Sequence, residues 1–454
     1  MPLISINPVT GEVIKAYEEL TPEEANKKIA GAEAAYLKWR EVSFSERAAK
    51  MQKLAYIFRE KKSILGKIIS LEMGKPISAA TAEVEKCAWV AEYYADNAEK
   101  ILRNELIATD MKESFVRFDS LGIILAIMPW NFPFWQVVRF AAPALMAGNV
   151  GLLKHASNVC GCSVALEEAF LEAGFPVGVF QSLLIGSAKV EQVINDERVK
   201  AITLTGSESA GSKVASFSGK LIKKTVMELG GSDPFIVLSD ANIAEACKAG
   251  ALGRLQNAGQ SCIAAKRFIV MSDCYEEFLK NFVKAFQEMT IGDPLDEKTK
   301  VGPLYAEKAV AEIEAQVQKS IALGAKLLIG GKRWGSKGFF YEPTILADVK
   351  KGMPVYNEEV FGPVAAVIKA ANIGEAICIA NDTPYGLGAS LWTQDTVLAK
   401  ELAGKIEAGC VFVNSMVVSD PRLPFGGIKK SGYGRELSHY GIKEFVNIKT
   451  IVLK

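Results

Sequence analysis

Between residues 122 and 229, short apolar segments alternate with segments of helical spacing, and this alternation constrains the fold more than any other feature. The apolar segments are residues 122–128, 150–154, 182–185, 201–204 and 224–229. Strands that are apolar on both faces are typical of a parallel sheet covered by helices on both sides. Ligands of such sheets bind beyond the carboxyl ends of the strands. The sequence therefore predicts a nucleotide-type site near Asn131, Lys154, Gly206 and Glu228.

The alternation resumes after residue 231 and predicts a second α/β unit. Its predicted strands are residues 235–238, 268–271 and 364–370. Its predicted helices are residues 241–255, 276–289, 309–323, 374–381 and 397–407.

The residues before the first sheet have a different pattern. After an extended segment, Thr21 has the character of an N-cap and Pro22 stands at the first helical position. Helical spacing then continues to about residue 102. Residues 106–108 and 114–119 alternate with a period of two and predict a hairpin, which needs a partner surface because two strands alone are marginally stable.

One loop carries a candidate nucleophile. The helical pattern of residues 241–255 ends near Gly259, and Cys262 follows on a loop with Lys266 and Arg267 behind it. Nearby amides or cations lower the pKa of a thiol, and the thiolate is the attacking species. A packed structural cysteine is the alternative interpretation of these residues taken alone.

Charge and composition exclude several classes of partner. The formal net charge is +1, which supports neither a nucleic-acid nor a membrane partner. The longest apolar run, residues 121–128, is too short to span a bilayer, and the first residues lack the pattern of a signal peptide. Eight cysteines without a disulfide pattern favour a reducing, cytoplasmic setting.

Two further patterns limit the chemistry. Only His155 and His439 occur, so a cysteine hydrolase or acyltransferase must use one of them as its base. Cys160 and Cys162 form an isolated C-x-C that we interpret as packing, and no metal site is expected. The GxGxxG fingerprint is absent. The turn that begins at Gly206 still offers amides for a pyrophosphate, although such turns are also common at simple chain reversals.

Six segments together resemble the aldehyde dehydrogenase superfamily over essentially the whole chain. In order, they are residues 129–133 (PWNFP), 205–207 (TGS), 228–231 (ELGG), 257–262 (NAGQSC), 358–363 (EEVFGP) and 424–427 (PFGG). The resemblance implies an α/β fold with a Rossmann-type cofactor domain (residues 1–100 and 121–230) and an α/β catalytic domain (residues 231–430). A bridging β-hairpin (residues 101–120) would receive the C-terminal strand (in 431–454) and support a homo-oligomer, at least a dimer.

The resemblance also implies catalytic roles. Cys262 would add to the aldehyde carbon, and the Asn131 side-chain amide with the Cys262 backbone amide would form the oxyanion hole. Glu228 would activate the water that hydrolyses the thioester. An ion pair of Glu228 with Lys223 or Lys224 is the structural alternative.

The cofactor residues follow from the same resemblance. Residues expected at the cofactor are Trp130, Lys154, Ser157, Gly206, Ser207, Leu229, Glu359 and Phe361. Many NAD-preferring relatives have a glutamate three residues after the lysine, where this chain has Ser157. A serine removes the carboxylate that would repel a 2′-phosphate, so we expect NADP to be preferred over NAD.

Residues 153–158 (LKHASN) and 230–235 (GGSDPF) look like the succinate-semialdehyde dehydrogenase subgroup. That resemblance implies an aldehyde with a carboxylate tail, with Arg139 as its cation and Ser419 as a second anchor. Trp135, Phe425 and Ser261 would complete the substrate pocket. A salt bridge is the alternative role of Arg139, and glutarate semialdehyde is the alternative substrate, because one methylene changes affinity by only about 1–3 kcal/mol. A non-redox cysteine hydrolase and a non-catalytic binding protein are the competing functions.

Overall fold

The computed structural model describes residues 2–454 and opens with a small hairpin and a helical layer. The hairpin pairs β1 (Leu3–Ile6) with β2 (Val13–Tyr17). The helices are α1 (Pro22–Trp39), α2 (Phe44–Glu60), α3 (Lys62–Met73) and α4 (Ile77–Ile101). Thr21 caps α1 through a reciprocal capping box with Glu24, as the sequence predicts for this helix start.

A six-stranded sheet follows, and its strand order is β17-β9-β8-β5-β6-β7. Its strands are β5 (Ile123–Met128), β6 (Val150–His155), β7 (Phe180–Ser182), β8 (Val199–Thr205), β9 (Lys224–Glu228) and β17 (Gly432–Tyr433). All neighbours are parallel except β17, which pairs antiparallel with β9. The crossover helices are α5 (Trp135–Met146), α6 (Cys160–Glu172), α7 (Val190–Asn195) and α8 (Glu208–Lys220). The predicted parallel sheet is confirmed.

A seven-stranded sheet forms the second α/β unit, in the order β12-β13-β14-β11-β10-β15-β16. Its strands are β10 (Asp233–Val237), β11 (Ala265–Met271), β12 (Lys326–Ile329), β13 (Thr344–Ala347), β14 (Val364–Ala370), β15 (Gly388–Trp392) and β16 (Cys410–Val413). Only β12 runs antiparallel to its neighbour. The helices of this unit are α9 (Ile243–Leu255), α10 (Tyr275–Gln287), α11 (Glu307–Ala322), α12 (Pro354–Asn357), α13 (Ile373–Asn381) and α14 (Thr396–Ala403).

The predicted hairpin does receive the C-terminal strand. Strands β3 (Glu105–Leu106) and β4 (Glu113–Ser120) pair with β18 (Val446–Leu453) in a three-stranded antiparallel sheet. The short helix α15 (Ser438–Ile442) precedes β18.

The strand predicted at residues 182–185 was misplaced, since β7 covers residues 180–182. Leu183 still donates to the Leu153 carbonyl, but the next residues turn away, and Leu184 accepts from Leu20 instead. The apolar residues 183–185 therefore contribute mainly to the hydrophobic core and do not extend the strand. Each of the two larger sheets has its own hydrophobic core. Among the described residues, no helix combines the length and apolar character needed to cross a membrane.

Candidate active site

A left-handed turn presents the candidate nucleophile. After α9, Asn257, Ala258 and Gly259 have φ values of 55°, 54° and 75°. Arg254, which is fully buried, donates to the Gly259 carbonyl at 2.6 Å. Two non-glycine residues at positive φ are held by the surrounding packing. The chain then reaches Cys262 on the far side of this turn.

Cys262 lies on the wall of two cavities. The first has a volume of about 600 Å³ and the second about 180 Å³. Gln136 and Cys262 line both. A thiol placed between two cavities can contact a different molecule on each side.

The resting form of Cys262 is a thiol. Burial raises its pKa to about 12, which outweighs the opposite effect of the cations of Arg139 and Lys266. Lys266 is itself buried, and it donates to the carbonyls of Ser261 and Cys262 at 3.0 and 2.8 Å. The ammonium therefore fixes the backbone of the cysteine loop.

Asn131 lies in the first cavity with its amide oriented by neighbours. Its Nδ2 donates to the Gln260 carbonyl at 3.0 Å, and its Oδ1 accepts from Gln136 Nε2 at 3.1 Å. Asn257 Nδ2 donates to the Asn131 carbonyl at 2.8 Å. One amide hydrogen of Asn131 is left to donate to an oxygen at Cys262, which is the requirement for an oxyanion hole.

The Glu228 carboxyl is buried and lines neither cavity. Neither of its oxygens has a hydrogen-bond partner among residues 2–454. Burial, followed by repulsion from Glu436, raises the pKa of Glu228 well above its usual value. The carboxyl faces Gly426, where a Cβ would lie 2.7 Å from its Oε1. An acid without hydrogen-bond partners at this position is available to move.

The structural alternative for Glu228 is excluded. Lys224 forms an ion pair with Glu444 at 3.0 Å, and Lys223 donates to the carbonyls of Ile194 and Asp196. Neither lysine is paired with Glu228.

Most of the residues predicted at the cofactor lie together in the first cavity. They are Trp130, Gly206, Ser207, Leu229, Glu359 and Phe361. Ser207 is the N-cap of α8 and accepts from the Ala210 amide, so the first turn of that helix opens toward the cavity. Trp130 is in edge contact with Phe361 and stacks on Tyr305, with ring centroids 3.8 Å apart in the stacked pair.

Glu359 is held between a backbone amide and a lysine. Its Oε1 accepts from the Gly231 amide at 3.0 Å and lies 3.5 Å from Lys266 Nζ. A side chain at Gly230 would collide with the Glu359 carboxylate, so only glycine permits this approach. The same lysine therefore supports both the cysteine loop and the carboxylate expected at the nicotinamide ribose.

Lys154 and Ser157 lie at the end of the neighbouring strand and not in the cavity lining. Strand β6 pairs with β5 so that Lys154 lies opposite Ile127, just before the Pro129–Asn131 segment of the cavity wall. Lys154 is buried, and its ammonium has no hydrogen bond or ion pair within the described chain. Burial lowers its pKa. An unpaired ammonium beside this sheet edge suits a phosphate or hydroxyl group of a cofactor.

All five residues predicted at the substrate line the second cavity. They are Trp135, Arg139, Ser261, Ser419 and Phe425. Arg139 is already engaged: its Nε forms a buried ion pair with Glu436, and its guanidinium lies 4.6 Å from the Phe425 ring centroid. The predicted alternative, a salt bridge, is therefore present, although Arg139 also lines the cavity.

Neither histidine is placed to act as a base for Cys262. The ring nitrogens of His155 lie 3.2 and 2.8 Å from the carbonyls of Met128 and Pro133, and burial lowers its pKa to about 4. His439 is exposed and stacks on Tyr440. Neither lines a cavity, so the structure gives a cysteine hydrolase no base.

Several residues of the site were missed by sequence reasoning: Lys86, Lys266, Tyr305 and Glu436. Lys266 was noted only as a cation behind Cys262. The other three belong to segments that look like ordinary helix or loop, and their partners lie far away in sequence. Within the described residues, no group of His, Cys, Asp and Glu is arranged to hold a metal ion.

Known proteins are similar to this chain in sequence and in fold. A protein from Synechocystis sp. named probable succinate-semialdehyde dehydrogenase (NADP+) is 51% identical over 451 residues, which are 99% of either chain. A Mycobacterium tuberculosis protein named succinate-semialdehyde dehydrogenase (NADP+) 1 is 50% identical over 454 residues, with the same coverage. The crystal structure of succinic semialdehyde dehydrogenase from Streptococcus pyogenes in complex with NADP+ matches with a TM-score of 0.97 and 40% identity, covering 99% of both chains. The profile of the aldehyde dehydrogenase family matches residues 2–451, and the chain that places Cys262 between these two cavities belongs to that family.

Proposed function

We propose that this protein oxidises succinate semialdehyde to succinate with NADP as the preferred cofactor, through a covalent adduct on Cys262. The observation that carries the proposal is the position of Cys262 on the shared wall of a large and a small cavity. The larger cavity suits a dinucleotide and the smaller one a short aldehyde. Relatives at 50 and 51% identity over the full length carry the name of this activity.

The side chains around the thiol match the first half of the reaction. Cys262 Sγ attacks the aldehyde carbon and passes its proton to solvent water in the cavity, while the carbonyl oxygen becomes an anion. The Asn131 amide and the Cys262 backbone N–H donate to that oxygen, and Gln136 holds Asn131 in position. A nicotinamide bound in the first cavity would supply the hydride acceptor that converts the adduct to a thioester.

Glu228 acts in the second half. Its carboxyl turns from Gly426 toward the thioester, loses its proton on contact with water, and then accepts a proton from the attacking water. Water adds to the thioester carbon, the carbon–sulfur bond breaks, and the leaving sulfur takes the proton from Glu228, which releases succinate and the Cys262 thiol. Because Glu228 makes no hydrogen bond in its buried position, this rotation breaks none.

The cofactor proposal is supported by the residues at the sheet edge. The first turn of α8, which begins after Ser207, would hold the pyrophosphate, and Glu359 would hold ribose hydroxyls. Lys154 has a free ammonium, and Ser157 brings no negative charge. This combination accommodates the 2′-phosphate of NADP.

The wider assignments are part of the same proposal. We infer that residues 1–100 and 121–230 form the cofactor domain, residues 231–430 form the catalytic domain, and residues 101–120 with 431–454 mediate assembly into at least a dimer. Eight cysteines without disulfides, most of them buried, suit a cytoplasmic enzyme.

The test is the formation of reduced nicotinamide, followed by absorbance, with succinate semialdehyde and NADP or NAD. We expect turnover that is faster with NADP and is abolished by Cys262→Ser, since a serine hydroxyl is far less nucleophilic than a thiol. Cys378→Ser is the matched control, because Cys378 is exposed and lines neither cavity. Undiminished turnover by Cys262→Ser would overturn the mechanism, and a higher kcat/KM for glutarate semialdehyde would change the substrate.

A further inference from the structure

The second cavity contains a lysine that sequence reasoning did not single out. Lys86 projects from α4 into the cavity that Cys262 borders. Its Nζ donates to Ser419 Oγ at 2.8 Å and lies 4.3 Å from the Trp135 ring centroid. The aromatic ring and the hydroxyl together hold the ammonium in a defined position.

Two cations line this cavity, and only one of them is compensated by a carboxylate. Arg139 forms its buried ion pair with Glu436. Lys86 has no ion pair among residues 2–454. The nearby Asp420 is bound through both oxygens by Arg422, at 2.9 and 2.6 Å.

Glu83, which lines the same cavity from the same helix, is also occupied. Glu83 forms a buried ion pair with Lys75 and accepts the backbone amides of Phe134 and Trp135 at 2.9 and 3.0 Å. The positive charge of Lys86 is therefore the one that the second cavity leaves without an anionic partner.

We propose that Lys86 is the residue that selects aldehydes with a carboxylate tail, by forming the ion pair with that carboxylate. The inference rests on the proposed function and deepens it. One ammonium proton is used on Ser419, and two remain for the tail. Because Ser419 accepts from Lys86, its own O–H is free to donate to the same carboxylate. Arg139, paired with Glu436, forms part of the wall of the same cavity.

The test compares two four-carbon aldehydes, succinate semialdehyde and uncharged butanal, on the wild type and Lys86→Met. Methionine keeps an unbranched side chain that is one atom shorter and removes its charge. We expect kcat/KM for succinate semialdehyde to fall by about 10- to 100-fold, which is the effect of losing a charged hydrogen bond. The fall for butanal should be several times smaller, because butanal has no carboxylate to bind.

Controls separate an anchoring role from a structural one. Lys100→Met makes the same change on the exposed face of α4 and should behave as the wild type. Lys86→Arg should recover part of the loss for succinate semialdehyde, since the positive charge is restored. Thermal unfolding of each variant identifies any that is misfolded.

The outcomes distinguish this proposal from the proposed function. A wild type that does not oxidise succinate semialdehyde contradicts the function itself. A wild type that does, with Lys86→Met losing equally on both aldehydes or on neither, overturns Lys86 as the anchor.

Discussion

Ser157 shows how one side chain can decide between two cofactors. It follows β6 at the edge where Lys154 has a free ammonium, and its backbone carbonyl accepts from Cys160 Sγ at 3.3 Å. A carboxylate at this position would repel a 2′-phosphate and accept from ribose hydroxyls. We predict that Ser157→Glu lowers kcat/KM for NADP by about 10-fold or more, as expected for one unfavourable charge contact, and raises it for NAD.

The measurement is kcat/KM for both cofactors at saturating aldehyde. Ser63→Glu introduces the same charge on the exposed face of α3 and should leave the ratio unchanged. If Ser157→Glu fails to move the ratio toward NAD, the preference has another origin.

The ionisation of Lys86 should also make the preference for succinate semialdehyde over butanal depend on pH. Burial and the neighbouring cation of Arg139 lower its pKa to about 8, against the opposite effects of Cys87, Asp420 and Glu83. The ammonium is charged below that pH and becomes neutral above it, so the tail carboxylate loses its partner as pH rises. We expect the ratio of kcat/KM for succinate semialdehyde to that for butanal to fall above about pH 8.

Taking the ratio cancels every ionisation that both aldehydes share, including that of Cys262. In Lys86→Met the ratio should be low and independent of pH between 7 and 9.5. A wild-type ratio that stays flat over this range would remove Lys86 from tail binding.

At the residue scale, local sequence predicts some side chains of the site and misses others for a physical reason. Cys262 and Asn131 stand on loops at strand or helix ends, where local patterns indicate an exposed functional group. Lys86 is in the middle of a 25-residue helix, and its partner Ser419 is 333 residues away. The ion pair of Arg139 with Glu436 likewise forms only after the chain has folded. No local pattern encodes such pairs.

At the scale of one element, the turn from α9 to Cys262 depends on Gly259. Its φ of 75° lies in the left-handed region, and an added Cβ would collide with the Gly362 carbonyl carbon and oxygen. The hydrogen bond from Arg254 to the Gly259 carbonyl keeps the turn from moving away from Gly362. We predict that Gly259→Ala destabilises the protein by about 2 kcal/mol or more. Turnover should fall by about 100-fold or more, because the Cys262 thiol is displaced.

Thermal unfolding and steady-state turnover measure the two effects. Gly253→Ala is the matched control on α9, where the nearest atom to a new Cβ is Met416 Cβ at 3.4 Å. Alanine is favoured over glycine in a helix by about 0.5–1 kcal/mol, so this variant should be as stable as the wild type or more stable. Equal effects of the two substitutions would contradict the role assigned to the turn.

The elements themselves were predictable where the apolar pattern was long. β14 spans residues 364–370, as predicted, and α13 begins one residue before its predicted start. β15 was not predicted, because its sequence Gly-Ala-Ser-Leu-Trp lacks the β-branched residues that mark a strand. It becomes a strand by pairing with β10, more than 150 residues earlier in the chain.

At the scale of the whole molecule, the site depends on both large sheets. The first cavity takes Trp130 and Ser207 from loops of the six-stranded sheet, and Glu359 and Phe361 from the segment before β14 of the seven-stranded sheet. Neither sheet alone forms this cavity. This explains why the alternation of strands and helices predicts each unit and a site at the strand ends of the first, whereas Glu359 and Phe361 were assigned to that site only through the family resemblance.

The three-stranded sheet gives the last prediction, which concerns assembly. β18 is an edge strand of eight residues whose outer side has no partner within the described chain. Apolar side chains remain exposed on both faces of this sheet: Ile448, 62% exposed, and Val452 lie on one face, and Leu106, 76% exposed, lies on the other. Long edges with apolar surface favour pairing with another chain. We therefore predict at least a dimer in solution.

Light scattering after size exclusion should give at least twice the chain mass of 49.1 kDa. Ile448→Lys combined with Val452→Lys places two charges on the sheet and should shift the mass toward that of one chain at micromolar concentration. Leu323→Lys makes a similar change at an exposed leucine after α11 and should not alter the mass.

A wild type that is monomeric at all concentrations would contradict this role of the sheet. An assembly that resists the double substitution would place the interface elsewhere. If the mass falls as expected while circular dichroism keeps its wild-type shape, the exposed sheet is a contact surface, since the fold of each chain does not require it to be covered.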